Sequence, residues 1–191
     1  MDITLSILTP AIPERLGALK ALTEEIARQT RLSDVGQARM SDVGQVEHLV
    51  FMDNCRRSIG RKRDNLLRIA RGKYVAYVDD DDNIADDYVR EILTAAKENP
   101  DVITFRQKAI IDGQTGTVEF RLDNANEPFK PGEVTRRNAW HVCAWRTSLA
   151  ICSGFPNSSY GEDWIYAEAL CKLPNLKEVH IPTILHYYTY A

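Results

Sequence analysis

Tyr74-Val75-Ala76-Tyr77-Val78-Asp79-Asp80-Asp81-Asp82-Asn83 is the stretch that decides the fold. Five strand-forming residues run straight into four aspartates. A strand this apolar is expected to be covered on both faces, as in the parallel sheet of an α/β protein. Outward from it, Ile3–Leu8, closed by Thr9-Pro10, and Val46–Met52 read as strands. Leu16, Leu19, Leu22 and Ile26 recur at helical spacing after Pro13. Ser58 can cap a helix over Ile59–Arg71 that Gly72 stops. Lys73–Val78 is the third strand, Ala85–Asn99 a helix and Val102–Arg106 the fourth strand. Alternation of this kind predicts a doubly wound α/β domain with a mostly parallel central sheet and helices on both faces. Ligands of such sheets bind at the carboxyl ends of the strands, where Asp53 and the aspartate run both stand.

The second half is less regular. Asp112-Gly113 suits a hairpin turn, 124–132 is a polar loop, and Asn138–Ala150 reads as strand, helix or both. Glu162–Leu173 reads as a helix, and Leu176–His180 and Thr183–Tyr188 as final strands. No strong boundary divides residues 1–191, so one domain is expected. The pentapeptide SDVGQ occurs at Ser33–Gln37 and again at Ser41–Gln45. Two copies are too few for a solenoid. A duplicated surface loop is the plain reading, a flap beside the second strand the other.

Composition narrows the classes. With 44% hydrophobic and 27% charged residues, the chain has ordinary globular composition. A net charge of −3 argues against an obligatory nucleic-acid partner. No apolar run reaches the roughly 18 residues of a bilayer span, so no transmembrane segment is expected. The N-terminus lacks the pattern of a signal peptide, so the expected location is the cytoplasm. Cys55, Cys143, Cys152 and Cys171 form no C-x-x-C pair and read as reduced, mostly buried thiols rather than zinc ligands.

Like charges packed at a buried strand end repel one another. A solvated acidic loop fits poorly after such a strand. A calcium loop fails too, because position six would be Ile84 and position twelve Arg90. A divalent ion shared between carboxylates and a ligand's phosphates fits best, since Mg²⁺ and Mn²⁺ take few protein ligands and accept phosphate oxygens. Arg63 lies on the apolar face of the preceding helix with Ile59 and Leu66, where a buried guanidinium needs an anionic partner or must reach water. Residues 56–73 hold eight basic residues, of which Arg56 and Arg57 stand near the end of the second strand, within reach of a phosphate.

Several segments together resemble the family 2 glycosyltransferases of GT-A fold. KRDNLLRIARG (62–72) is similar to the family's A-R-N-x-G-x-x-x-A-x-G helix, with Arg63, Ala70 and Gly72 matching and Asp64 and Leu66 departing. VDDDDN resembles D-x-D-D, with Asp80 in the variable place. SGFPNSSYGEDW (153–164) resembles the GGF…GEDW segment, and IPTILHYYTY the closing strand. TPAIPER departs from the family's first loop.

The resemblance implies a metal-dependent inverting transferase that moves a sugar from a nucleotide-diphosphate sugar, UDP-sugars foremost, to a glycan or other hydroxyl acceptor. Residues 1–106 would form the nucleotide-sugar-binding half and 107–191 the acceptor-binding and catalytic-base half. It implies that Pro10, Asp53, Arg63, Asp79 and Asp80 contact the donor. Asp81, with Asp79, Asp82 and His186, would hold Mn²⁺ or Mg²⁺. Asp163 would be the general base, and Asp80 is the aspartate expected to matter least. The rival readings are a sugar-nucleotide-binding module without transferase activity and a nucleotidylyltransferase-like protein. The latter ordinarily carries a Gly-rich loop that TPAIPERLG lacks.

Overall fold

The computed structural model describes residues 2–33 and 45–190, so nearly all of the SDVGQ repeat lies outside the described residues. The strands are β1 (Leu5–Ala11), β2 (Val46–Met52), β3 (Tyr74–Tyr77), β4 (Asn83–Ile84), β5 (Val102–Ile111), β6 (Gln114–Arg121), β7 (Val134–Asn138), β8 (Ala144–Arg146) and β9 (Glu178–Tyr190). The helices are α1 (Leu16–Ser33), entered through a 3-10 turn at Pro13–Arg15, α2 (Ile59–Ile69), α3 (Tyr88–Ala96), α4 (Thr147–Ser153) and α5 (Glu162–Cys171).

One sheet joins both halves of the chain. β2, β1 and β3 pair in parallel, and β9 runs parallel to β5. β8 is inserted antiparallel between β3 and β5, the β5–β6 hairpin is antiparallel, and β7 pairs in parallel with β6. Helices α1 and α3 pack together on one side, and α2, α4 and α5 pack together on the other. The core runs along β1, β3, β8 and β5, where Leu5, Ile7, Leu8, Tyr74, Tyr77, Trp145, Ile103 and Phe105 are fully buried.

Local chemistry explains most boundaries. Ser58 caps α2 by accepting a hydrogen bond from the Arg61 amide. α2 ends at Ile69, with Ala70 already extended, rather than at Arg71; Gly72 does not stop the helix but is required because a Cβ there would lie 2.5 Å from the Ser6 amide nitrogen. Asp112 and Gly113 both take positive φ, 50° and 73°, which closes the two-residue hairpin between Ile111 and Gln114.

Several expectations need correction. The first strand does not stop at Thr9-Pro10 but continues to Ala11. Leu8 is the last β1 residue paired with β3, so the missing Pro10 amide costs no ladder bond on that side. The fourth strand runs on to Ile111, because β6 and β9 give it partners on both edges. The two final strands are one, β9, whose register with β5 shifts on passing Pro182. The helix expected from Ala85 starts at Tyr88, because Asn83 and Ile84 pair instead with Tyr187 and His186 of β9. Among the described residues all four cysteines are free, but Cys55 and Cys152 are exposed rather than buried. No helix among the described residues is long and apolar enough to cross a membrane.

Candidate active site

β1, β2 and β3 deliver Pro10, Asp53 and the aspartate run to one edge of the sheet, and α2 lies behind that edge. Two adjacent α2 cations are buried there, each with its own carboxylate. Lys62, 3% exposed, places Nζ 3.1 Å from Asp53 Oδ1 and donates to the Ala11 carbonyl. Asp53 Oδ2 accepts from the Arg57 amide. Burial would raise the Asp53 carboxyl, but Lys62 and Arg57 hold it below its ordinary value. Arg63, 4% exposed, donates to both Asp79 oxygens at 3.1 and 2.8 Å and lies 3.8 Å from Glu162. Its guanidinium also sits 5.7 Å from the Tyr77 ring and 6.0 Å from the Phe155 ring.

The four aspartates divide. Asp79 points inward, and burial pushes its carboxyl up to about 6, Arg63 opposing and Asp82 and Asp81 adding to the rise. Asp80 is buried on the other side, accepting from the Ile12 amide and from Arg15. Asp81 is exposed and lies 3.0 Å from Arg15. Burial raises its carboxyl against the pull of Arg15. Asp82 is buried 3.2 Å from Nε2 of His186, whose Nδ1 is hydrogen-bonded to Gln107. β4 explains this approach, since its pairing lays β9 directly against the aspartate loop.

Asp163 is the second residue of α5, which Glu162 opens after Gly161 in the left-handed conformation. Its Oδ1 accepts from the Trp164 amide, and Oδ2 lies 3.9 Å from Nδ1 of buried His141. Burial holds His141 well below its ordinary value, with Arg63 and His186 nearby adding to the effect. A cavity of about 300 Å³ is lined by Arg63, Asp79, Asp82, Gln107, His141 and Asp163, among others. A second, of about 610 Å³, lies outside Asp163 along the N-terminus of α5.

Arg63, Asp79, Asp82 and Asp163 therefore meet at one cleft, with His186 behind Asp82. Asp53 is held by Lys62 on the β2 side, Pro10 lies within β1, and Asp80 and Asp81 are grouped around Arg15. Among the described residues, no group of three or more His, Cys, Asp or Glu side chains forms a ready-made metal cage. A Mg²⁺ or Mn²⁺ site shared with phosphates requires only one or two carboxylates, and the Asp82 and Asp81 charges that add to the burial of Asp79 suit a cation. Sequence reasoning overlooked Lys62, Arg15 and the facing of His141 to Asp163. Lys62 had a signal: it is three residues after Ile59 and four before Leu66, on the helix face that carries Arg63. Arg15 and His141 had none, since their partners are distant in sequence.

A family model described as Glycosyl transferase family 2 matches residues 48–154, more than half of the chain. The match contains Asp53, Arg63 and the aspartate run and ends before Asp163. No curated protein matches the chain. Among solved structures, the chain is similar to S. aureus TarS 1–349 in complex with UDP-GlcNAc, with a TM-score of 0.69 and 17% identity over 99% of this chain and 59% of that one. For TarS 1–349 in complex with UDP the TM-score is 0.66, at 17% identity over 99% and 61%. At that identity the likeness is one of fold, and this chain spans about three fifths of TarS 1–349.

Proposed function

This chain belongs to glycosyl transferase family 2, and from that premise we propose that it is a metal-dependent inverting glycosyltransferase, moving a sugar from a nucleotide-diphosphate donor to an acceptor hydroxyl. One observation carries the reading. Arg63 and the carboxylates of Asp79 and Asp82, from the donor half, line the same cavity as Asp163 from the acceptor half. UDP-sugars are the proposed donor class, in keeping with the UDP-GlcNAc and UDP of the TarS 1–349 complexes.

Asp53, fixed by Lys62 and Arg57, is the proposed contact to base or ribose at the end of β2. Arg63 offsets the charge of Asp79 and faces the diphosphate. Asp81, with Asp79 or Asp82, would hold Mg²⁺ or Mn²⁺ together with phosphate oxygens, and such an ion neutralises charge on a departing diphosphate. His186 offers Nε2 to the same place because Nδ1 is taken by Gln107, the arrangement common to metal-ligating histidines. Asp163 takes the proton of the acceptor hydroxyl through Oδ2, since Oδ1 is engaged by the Trp164 amide. The acceptor oxygen bonds to the anomeric carbon as the bond to the diphosphate breaks, and one displacement inverts that centre. His141 is neutral in this setting, so it does not quench the basicity of the carboxylate.

A thermal-shift panel of UDP-, GDP-, CMP- and dTDP-sugars, each with and without Mn²⁺, tests the reading. UDP-sugars should stabilise the protein only with the metal, by roughly 2.7 kcal/mol at a hundred times Kd. Absence of stabilisation by every donor would overturn it. A donor that binds but is neither transferred nor hydrolysed would identify a binding module instead.

A further inference from the structure

The inner and outer cavities share three lining residues, Arg137, Trp140 and Asp163, which therefore form the passage between them. The cations around the donor end are engaged: Arg63 with Asp79, Lys62 with Asp53, Arg15 with Asp80 and Asp81. Arg137, half-buried on β7, is different. Its guanidinium has no ion pair and no side-chain hydrogen bond among the described residues. Asp163 lines the same passage yet faces His141 rather than Arg137. Cation and carboxylate thus share a wall without contact.

The surface around them is aromatic. Trp140 and Trp164 meet edge to face at 5.6 Å, and Tyr160 is 93% exposed beside them. Aromatic faces take the apolar faces of sugar rings, and a half-buried guanidinium takes a carboxylate or phosphate as a planar fork. Asp163 sets a carboxylate at the α5 end of the outer cavity, where it disfavours an anion. A bound molecule must therefore turn its anionic group to Arg137 and its hydroxyl to Asp163.

We propose that the outer cavity is the acceptor subsite and that it selects a glycosyl acceptor bearing a phosphate or carboxylate, held by Arg137 with its ring against Trp140 and Trp164. This rests on the transferase reading above. Tryptophan fluorescence reports on the subsite directly, because Trp140 and Trp164 line it and the third tryptophan, Trp145, is fully buried. Titration with glucose 6-phosphate, glucuronate, methyl glucoside and inorganic phosphate separates the contributions. Glucose 6-phosphate or glucuronate, whichever anion the acceptor carries, should quench with an affinity about tenfold or more above methyl glucoside. Inorganic phosphate, lacking a ring, should bind less tightly than glucose 6-phosphate. R137Q should remove that preference while retaining the wild-type thermal midpoint and the stabilisation by UDP-sugar and Mn²⁺, and R137K should restore part of it. Equal binding of charged and neutral sugars, binding of neither, or an unchanged preference in R137Q would overturn the proposal. Failure of every nucleotide sugar in the donor panel to stabilise the wild type would overturn the transferase reading separately.

Discussion

Replacing Arg63 with methionine should produce a stability deficit that grows with pH. The methionine keeps a stem near Tyr77 and Phe155 but removes the guanidinium 2.8 Å from Asp79 Oδ2. In the wild type, burial already pushes the Asp79 carboxyl from 3.8 up to about 6. A raised carboxyl pKa means that the folded state holds the proton more tightly than the unfolded chain. Its stabilising effect is full below about pH 4, is lost as pH rises to about 6, and is constant above that. A rise of this size costs the wild type about 3 kcal/mol at neutral pH. Without Arg63, Asp79 stays protonated to higher pH, and the cost goes on growing by about 1.4 kcal/mol per pH unit. Arg63→Met should therefore lie closest to wild type at pH 5 and fall further below it with each step above pH 6, by at most about 1.4 kcal/mol per pH unit. Glu162, also raised by burial and 3.8 Å from Arg63, adds in the same direction. Urea denaturation of both proteins at pH 5, 6, 7 and 8 measures the gap. Parallel stability curves would refute the reasoning.

Asp163→Asn should lower transfer by roughly 10²–10⁴-fold while donor-induced stabilisation is retained; a near wild-type rate would remove Asp163 from the role of base. Gly60→Ala puts a Cβ 2.1 Å from the Pro156 carbonyl oxygen and 2.9 Å from that of Ser158, so it should cost about 1–3 kcal/mol, and an unchanged thermal midpoint would contradict that packing. Asp80→Asn should lower the midpoint by weakening the hold on Ile12 and Arg15, worth about 1.5–3 kcal/mol for charged hydrogen bonds, yet keep metal-dependent donor binding. Asp81→Asn should do the reverse, and an inverted pattern across the pair would contradict the division of the aspartates.

What the sequence made legible was local. Val46–Met52, the Ser58 cap and the Asp112-Gly113 turn were readable because each depends on neighbouring residues, and the structure places them as expected. That Arg63 could meet an anion was readable, because a buried guanidinium demands one and an acidic strand end lay close in sequence; that the partner is Asp79 was not. The antiparallel insertion of β8 and the two-residue β4 were not, since both exist only through partners far along the chain. The division of four identical aspartates was also hidden. Arg15 and His186 create it, and neither lies near the run in sequence.

The lodging of β9 against β4 also bears on the order of assembly. His186 meets Asp82, and Tyr187 pairs with Asn83, across the whole span of sequence from 82 to 186. Contacts of such separation carry the loop-closure entropy of the intervening chain. The parallel trio β2-β1-β3 can therefore take shape with Asp82 lacking its histidine. The acidic loop has its final shape only with the last strand in place, so that His186 ties β9 to the site.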